Sequence, residues 1–417
     1  MKRILPAVLL IVILTVAFAL APSAGAGAAS KFETIYKFVG LTNGTFPEAA
    51  LTYDSAGNLY GTTMLPVADG NAFELKPNSD GSWTESVIYY FTGTDGSYPR
   101  SGLTLDSAGN LYGTLSEGGA NQNAGVVYEL TPNENGTWTD DVLYNFCSLS
   151  NCADGSTSYA GLTFDRNGNL YGTTAEGGAS DGGTVFKLAP NRSGGWTESV
   201  IYSFSQTEGG EPLAGLIFDQ AGNLYGTGFA GGRGQGFGVV FRLSPNKNGS
   251  WTYAKLYQFC RLENCRDGGN PWAGLTFDSA GNLYGTTKFQ GAHGDGVVFE
   301  LSPTAKGPWV ERVLYQFTGG DDGGNPQGGV TFDSSGKLYG TTYYGGGSNS
   351  CKGGCGVVFK LVRGSNGDWH ETTIHAFSPA ASNPAASLVF NGSALYGTSS
   401  GASGTGERFG AVFEVIP

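Results

Sequence analysis

A chain of 417 residues with 40 % hydrophobic side chains can bury a substantial core, but 70 glycines and a charged fraction of 14 % argue against long solvated helices. The formal charge of −12 excludes the cationic surface that a polyanion requires, so nucleic acid is not an expected partner. This composition predicts an all-β protein with many tight turns.

Residues 1–28 read as a secretory signal peptide. Lys2 and Arg3 precede an apolar run over 4–20, and small residues follow at Ala24-Gly25-Ala26 and Ala26-Gly27-Ala28. A retained amino-terminal anchor competes with cleavage, because the run approaches the ~20 residues that span a bilayer. Cleavage removes two basic residues, taking the formal charge from −12 to about −14, and leaves no segment suited to crossing a membrane. The expectation is an exported protein, periplasmic, cell-surface or secreted, and monomeric. Export to an oxidising compartment makes the close pairs Cys147/Cys152, Cys260/Cys265 and Cys351/Cys355 plausible small-loop disulfides. A zinc site is the competing reading of such pairs, and it is the weaker one because the chain has only three histidines for three cysteine pairs.

Leu-Tyr-Gly-Thr recurs seven times, at Leu59, Leu111, Leu170, Leu224, Leu283, Leu338 and Leu395, 52 to 59 residues apart. One unit contains four strand-length segments, A to D. Segment A is Gly-Leu-Thr-Phe-Asp at 274–278, and B runs over 282–287 after a Ser-Ala-Gly turn. Segment C is Gly-Val-Val-Phe-Glu-Leu at 296–301, and D is the alternating aromatic and β-branched run at 309–317. The first D segment, 32–38, precedes any A segment, and the chain stops after a C segment at 411–415. The two incomplete ends complement each other. This predicts one domain over 31–417, a seven-bladed β-propeller of four-stranded blades closed by the amino-terminal strand. A β-solenoid is the weaker alternative, because its coils are shorter and need caps.

The string Gly-Leu-Thr-Phe-Asp-Ser-Ala-Gly-Asn-Leu-Tyr-Gly-Thr-Thr at 274–287, followed by 296–301, resembles the GloVer tandem repeat. The resemblance spans about 32–417 and implies an exported bacterial β-propeller with no known reaction, often carried with an interchangeable carboxy-terminal anchor. No hydrophobic or basic tail follows Val415, so such an anchor is not expected here. More distantly, Asp-x-x-Gly-Asn-Leu-Tyr is similar to a hairpin of NHL-type and lactonase-like propellers. That resemblance implies calcium in the central channel, with Glu48 and Gln327 the available ligands.

The aspartates closing segment A, Asp54, Asp106, Asp165, Asp219, Asp278 and Asp333, recur too often to be catalytic and are expected to order their own turns. The repeated tyrosines and Trp83, Trp138, Trp196, Trp251, Trp309 and Trp369 are expected between blades. His293, His370 and His375 lie in different elements without a nucleophile motif, and no catalytic residue or resident cofactor is expected.

Specificity is expected where the repeats differ. Between near-constant neighbours just before segment A, the units carry Glu48, Arg100, Tyr159, Leu213, Trp272, Gln327 and Ala385. Because segment A is innermost, this set is expected to ring the channel mouth, with Leu65, Glu117, Glu176, Ala230, Phe289 and Tyr344 after segment B widening the same surface. Aromatic faces, planar hydrogen-bonding groups and a guanidinium suit a glycan, a peptide or a protein partner. Free drift of an exposed loop position is the competing explanation. A calcium-dependent lactonase or esterase is the alternative function.

Overall fold

Alternating apolar residues, separated by turns that need glycine, turn each repeat into one antiparallel sheet. The computed structural model describes residues 30–40, 42–65, 69–205, 207–232, 236–305, 307–401 and 409–417, and the expected signal peptide lies outside them. Seven four-stranded sheets form a seven-bladed β-propeller. In the fifth blade the strands are Thr276–Phe277, Leu283–Thr287, Val297–Ser302 and Val310–Gln316, hydrogen-bonded in chain order. The seventh blade combines Val389–Asn391, Ala394–Ser399 and Ala411–Ile416 with Lys31–Lys37. Pairing of Lys31 with Ile416 through Lys37 with Ala411 closes the ring, as the incomplete ends predict. Among the described residues no helix is long and apolar enough to cross a membrane.

The Leu-Tyr-Gly-Thr motif is a seam-building device, each residue with its own task. Its leucines are fully buried. A Cβ on Gly285 would lie 2.7 Å from Phe299 Cζ, so only glycine lets the strand C ring cross beneath strand B. Tyr284 Oη donates to Asp278 Oδ2 at 3.2 Å, and its ring lies in the core beneath the next blade. The threonine hydroxyls reach into the following blade: Thr227 donates to the Ala273 carbonyl, Thr286 to Gly328 and Thr341 to Ala386, each at 3.0 Å.

Strand A has two paired residues in six blades and three in the seventh, where the sequence suggested five. The backbone before it is engaged across the seam instead, as the Ala273 carbonyl illustrates. The aspartates behave as expected. Asp278 Oδ1 accepts the N–H groups of Ala280 and Asn282, both at 2.9 Å, and Gly281 takes φ +85°. At Asp165 burial opposes ionisation, but hydrogen bonds from Asn169, Asn167 and Tyr171 outweigh it and hold the carboxyl below its usual range. The tryptophans bridge blades: Trp138 meets the Tyr60 ring edge-on at 6.1 Å, and Trp309 meets Tyr225 likewise.

All three expected disulfides are present, Cys147–Cys152 and Cys260–Cys265 in loops from strand D to strand A, and Cys351–Cys355 in a loop from B to C. No cysteine is free.

Candidate functional site

The seven variable positions before strand A are held by a repeated backbone clamp. Two residues upstream of each, Phe46, Tyr98, Thr157, Glu211, Asn270, Asn325 and Asn383 all take φ between 51° and 59°. This left-handed conformation is costly for residues other than glycine, and asparagine tolerates it best. Its sevenfold recurrence reflects one shared set of cross-blade bonds. The Asn270 N–H donates to Phe237 O, Asn325 to Asp295 O at 2.7 Å and Asn383 to Cys355 O at 2.8 Å, each in the preceding blade. In these three seams the asparagine amide also donates across, to the carbonyls of Phe229, Lys288 and Tyr343. Downstream, the seam threonine holds the carbonyl of the residue after the variable position. The variable side chain is thus mounted on backbone anchored on both sides.

These side chains converge. Glu48, Arg100, Tyr159, Leu213, Trp272, Gln327 and Ala385 all line one cavity of about 540 Å³ at the propeller axis. Of the second variable set, Glu176 lines it too, while Glu117 acts on Tyr159 electrostatically. Phe289 and Tyr344 stand on the adjoining face, 38 % and 39 % exposed. This second set has a structural duty as well. Glu117, Glu176, Ala230, Phe289 and Tyr344 bridge to Ser97, Ser156, Gly210, Gly269 and Gly324, tying each strand D to A loop to the B to C loop it crosses.

Two arcs of chemistry face each other across the cavity. On one side Arg100 Nη1 lies 3.9 Å from Glu48 Oε2, and the guanidinium sits over the Tyr159 ring, 5.4 Å from its centroid. On the other, the Lys288 ammonium lies 3.7 Å over the Trp272 ring, whose edge Phe229 meets at 5.4 Å. Burial pushes the Glu48 carboxyl up, against the lowering influence of Arg100 and Lys288. Burial lowers Lys288 to about 8, with Glu48 opposing. Burial also raises Tyr159, partly offset by Arg100. Six of the seven tryptophans begin or directly precede D strands and Trp272 is the exception, placed in the cavity.

The two residues that the resemblance offered for calcium each make one contact with a neighbour. Glu48 pairs with Arg100, and Gln327 donates its amide to Asn325 Oδ1 at 3.1 Å. Among the described residues no three acidic, histidine or cysteine side chains gather as a metal site would need. The donor set does not fit the ion. His375 is stacked on Phe32 between the sixth and seventh blades, outside the cavity lining.

Lys288, Phe229, Asp181 and Glu211 also belong to the cavity surroundings, and sequence reasoning missed them. The Asn-Pro dipeptides at 270–271, 325–326 and 383–384 were an available signal for the clamp. Nothing local marks Lys288, whose place depends on the blade rather than on its neighbours.

The molecule is a closed seven-bladed propeller with a variable axial cup. The chain belongs to the Gloeobacter/Verrucomicrobia repeat family, whose model matches residues 63–265, 104–352 and 255–417. No curated protein matches the sequence. Among solved structures, a candidate 6-phosphogluconolactonase of Bacteroides uniformis is similar at TM-score 0.50 and 11 % identity, covering 78 % of this chain and 83 % of that one. The periplasmic gluconolactonase PpgL of Pseudomonas aeruginosa gives TM-score 0.49 and 14 % identity, covering 86 % of this chain and 99 % of that one. Identities this low speak to the fold alone.

Proposed function

We propose that this is an exported binding protein that holds a glycan in the axial cup. The observation that carries the reading is convergence: seven positions that differ in all seven repeats line one cavity of about 540 Å³, within the size range of small-ligand sites. Trp272 and Tyr159 offer aromatic faces for sugar C–H surfaces. Arg100 and Gln327 supply planar hydrogen-bonding groups, and Glu48 supplies an acceptor. The backbone clamp keeps these groups fixed before binding, which lowers the ordering cost on association. A peptide or protein ligand would use the same face, but aromatic rings set among hydrogen-bonding groups favour a saccharide.

A glycan and peptidoglycan-fragment array with the mature protein tests the reading, run beside Trp272→Ala and Arg100→Ala. Binding to a saccharide that both substitutions weaken at least tenfold is the expected result. An array without a saccharide ligand, or one whose ligand ignores both substitutions, overturns it.

A further inference from the structure

The outer strands carry a second sevenfold pattern. In each seam one side chain of strand D faces the second or third residue of strand D in the next blade. Five seams pair tyrosine with a carboxyl group: Tyr36 with Glu85, Tyr89 with Asp140, Tyr144 with Glu198, Tyr257 with Glu311 and Tyr315 with Glu371. The other two pair rings, Tyr202 on Tyr253 at 4.7 Å and His375 on Phe32 at 3.5 Å.

In four of the carboxyl seams the same tyrosine donates to a second acid, in the loop leading to the cup. Tyr89 and Tyr144 bond Asp95 and Asp154 at 2.7 Å, Tyr257 bonds Asp267 at 2.8 Å and Tyr315 bonds Asp322 at 2.9 Å. Each loop aspartate also accepts a backbone N–H of its own loop, from Thr92, Ser148, Arg261 and Thr318. These are the loops that end at Arg100, Tyr159, Trp272 and Gln327. The two ring-paired seams serve the loops that end at the apolar residues Leu213 and Ala385; in the first, Tyr202 bonds the loop acid Glu208, but Tyr253 stands where the other seams have a strand acid. At the remaining seam Asn43 stands in for the loop acid.

Two carboxylates behind one tyrosine repel each other, and the strand acids are poorly solvated. Asp140 Oδ1, Glu198 Oε1 and Glu311 Oε1 are buried with no hydrogen-bond partner among the described residues, an arrangement that suits a neutral carboxyl and penalises an anion. Burial first, then the loop acid, pushes Asp140 and Glu198 up to about 7 and Glu311 up to about 8. Glu371 also reaches about 7, through burial and Asp322, although a Thr373 hydrogen bond opposes them.

We propose that the four carboxyl pairs Asp95/Asp140, Asp154/Glu198, Asp267/Glu311 and Asp322/Glu371 each retain a proton on the strand acid, and that losing it loosens the loops carrying the polar cup residues. This proton linkage rests on the cup being the binding site. Other groups face the pairs. Asp141 and Tyr128 adjoin Asp140, Glu263 and Arg266 share the Glu311 crevice, Arg261 lies over Tyr257, and Asp295 with His293 adjoins Asp322. Asp141 reinforces protonation of Asp140, and a hydrogen bond from Tyr257 moderates it at Glu311.

The sign follows from linkage. A carboxyl that binds its proton more tightly folded than unfolded favours the folded state at low pH, and that contribution fades as pH rises through the folded value. Amide hydrogen exchange, corrected for its intrinsic pH dependence, and thermal melting are measured from about pH 5 to about pH 9 on the mature protein. The comparison set is Asp140→Asn, Glu198→Gln, Glu311→Gln and Glu371→Gln. Expected are a Tm that falls with rising pH, a shallower fall in each variant, and added exchange in the loops before Arg100, Tyr159, Trp272 and Gln327. Within the wild-type protein the loops before Leu213 and Ala385 serve as internal controls, so that comparison needs no variant to fold. A flat Tm, variants as steep as wild type, or equal exchange changes in all six loops overturns the proposal. These readouts need no ligand. An array without a saccharide ligand would sink the binding assignment while leaving the proton linkage intact, and pH-independent loops would do the reverse.

Discussion

The Thr398 hydroxyl donates to the Ala49 carbonyl across 3.0 Å, joining residues 349 positions apart. It is the same bond that every interior seam makes, repeated where the chain closes on itself. Replacing Thr398 by Val keeps the shape and leaves a buried carbonyl without its donor, a loss of about 1–3 kcal/mol. Guanidinium unfolding of Thr398→Val and Thr341→Val should show costs of similar size. A closing seam indifferent to the change would mean that strand pairing alone holds the ring shut.

Gly285→Ala tests the crossing beneath strand B. The added methyl would press on the Phe299 ring, which is fully buried and has nowhere to retreat. Overpacking of this kind costs about 1–3 kcal/mol, and the melting temperature should fall by several degrees. Gly281→Ala strains a positive φ but meets nothing within 4 Å, so its cost should be smaller.

His375 gives the opposite pH response to the seam carboxyls. Burial against Phe32 lowers it to about 4. The unfolded chain takes up a proton near pH 6.5 and the folded chain does not, so this residue's contribution is complete above that value and is lost as pH falls towards about 4. His375→Phe should therefore gain stability relative to wild type across that window and differ little above pH 7. Equal melting curves for the two proteins at acid pH would contradict the burial described for the imidazole.

Lys288 should titrate near 8, a value visible by NMR of the side-chain nitrogen. Glu48 raises it, so Glu48→Gln should move it lower still. Trp272→Ala, by admitting water, should move it towards the usual lysine range. A Lys288 that titrates like a surface lysine in all three proteins would contradict its placement over the indole.

Removing the Cys260–Cys265 bridge by paired serine substitutions should cost about 2 kcal/mol on chain-entropy grounds. It should also loosen the loop that presents Trp272, so ligand affinity should fall more than for removal of Cys351–Cys355. Intact-mass analysis with and without alkylation should find no free thiol in the untreated protein.

The ring, its closure and the variable set were legible because they follow from counting and from local turn chemistry. Asp278 and Gly281 announce a hairpin wherever they occur, and an orphan strand at 31–37 needs a partner. Lys288 and Glu211 were not legible. Their roles depend on which blade they occupy and on what faces it across the axis. The outer seams fall between these cases. Tyr202 with Tyr253 and His375 with Phe32 break the tyrosine and carboxyl pattern as pairs, yet the partners are about 50 or more than 340 residues apart, and only the blade geometry shows that they meet.

Strand Lys31–Lys37 finds its partner only in Ala411–Ile416. The first strand to be made must wait for the last, with an unpaired edge open to strangers throughout. Six blades can form in sequence as the polypeptide emerges. The seventh is a single late event, and intermediates short of it should be the species most exposed to proteolysis and to strand exchange between molecules.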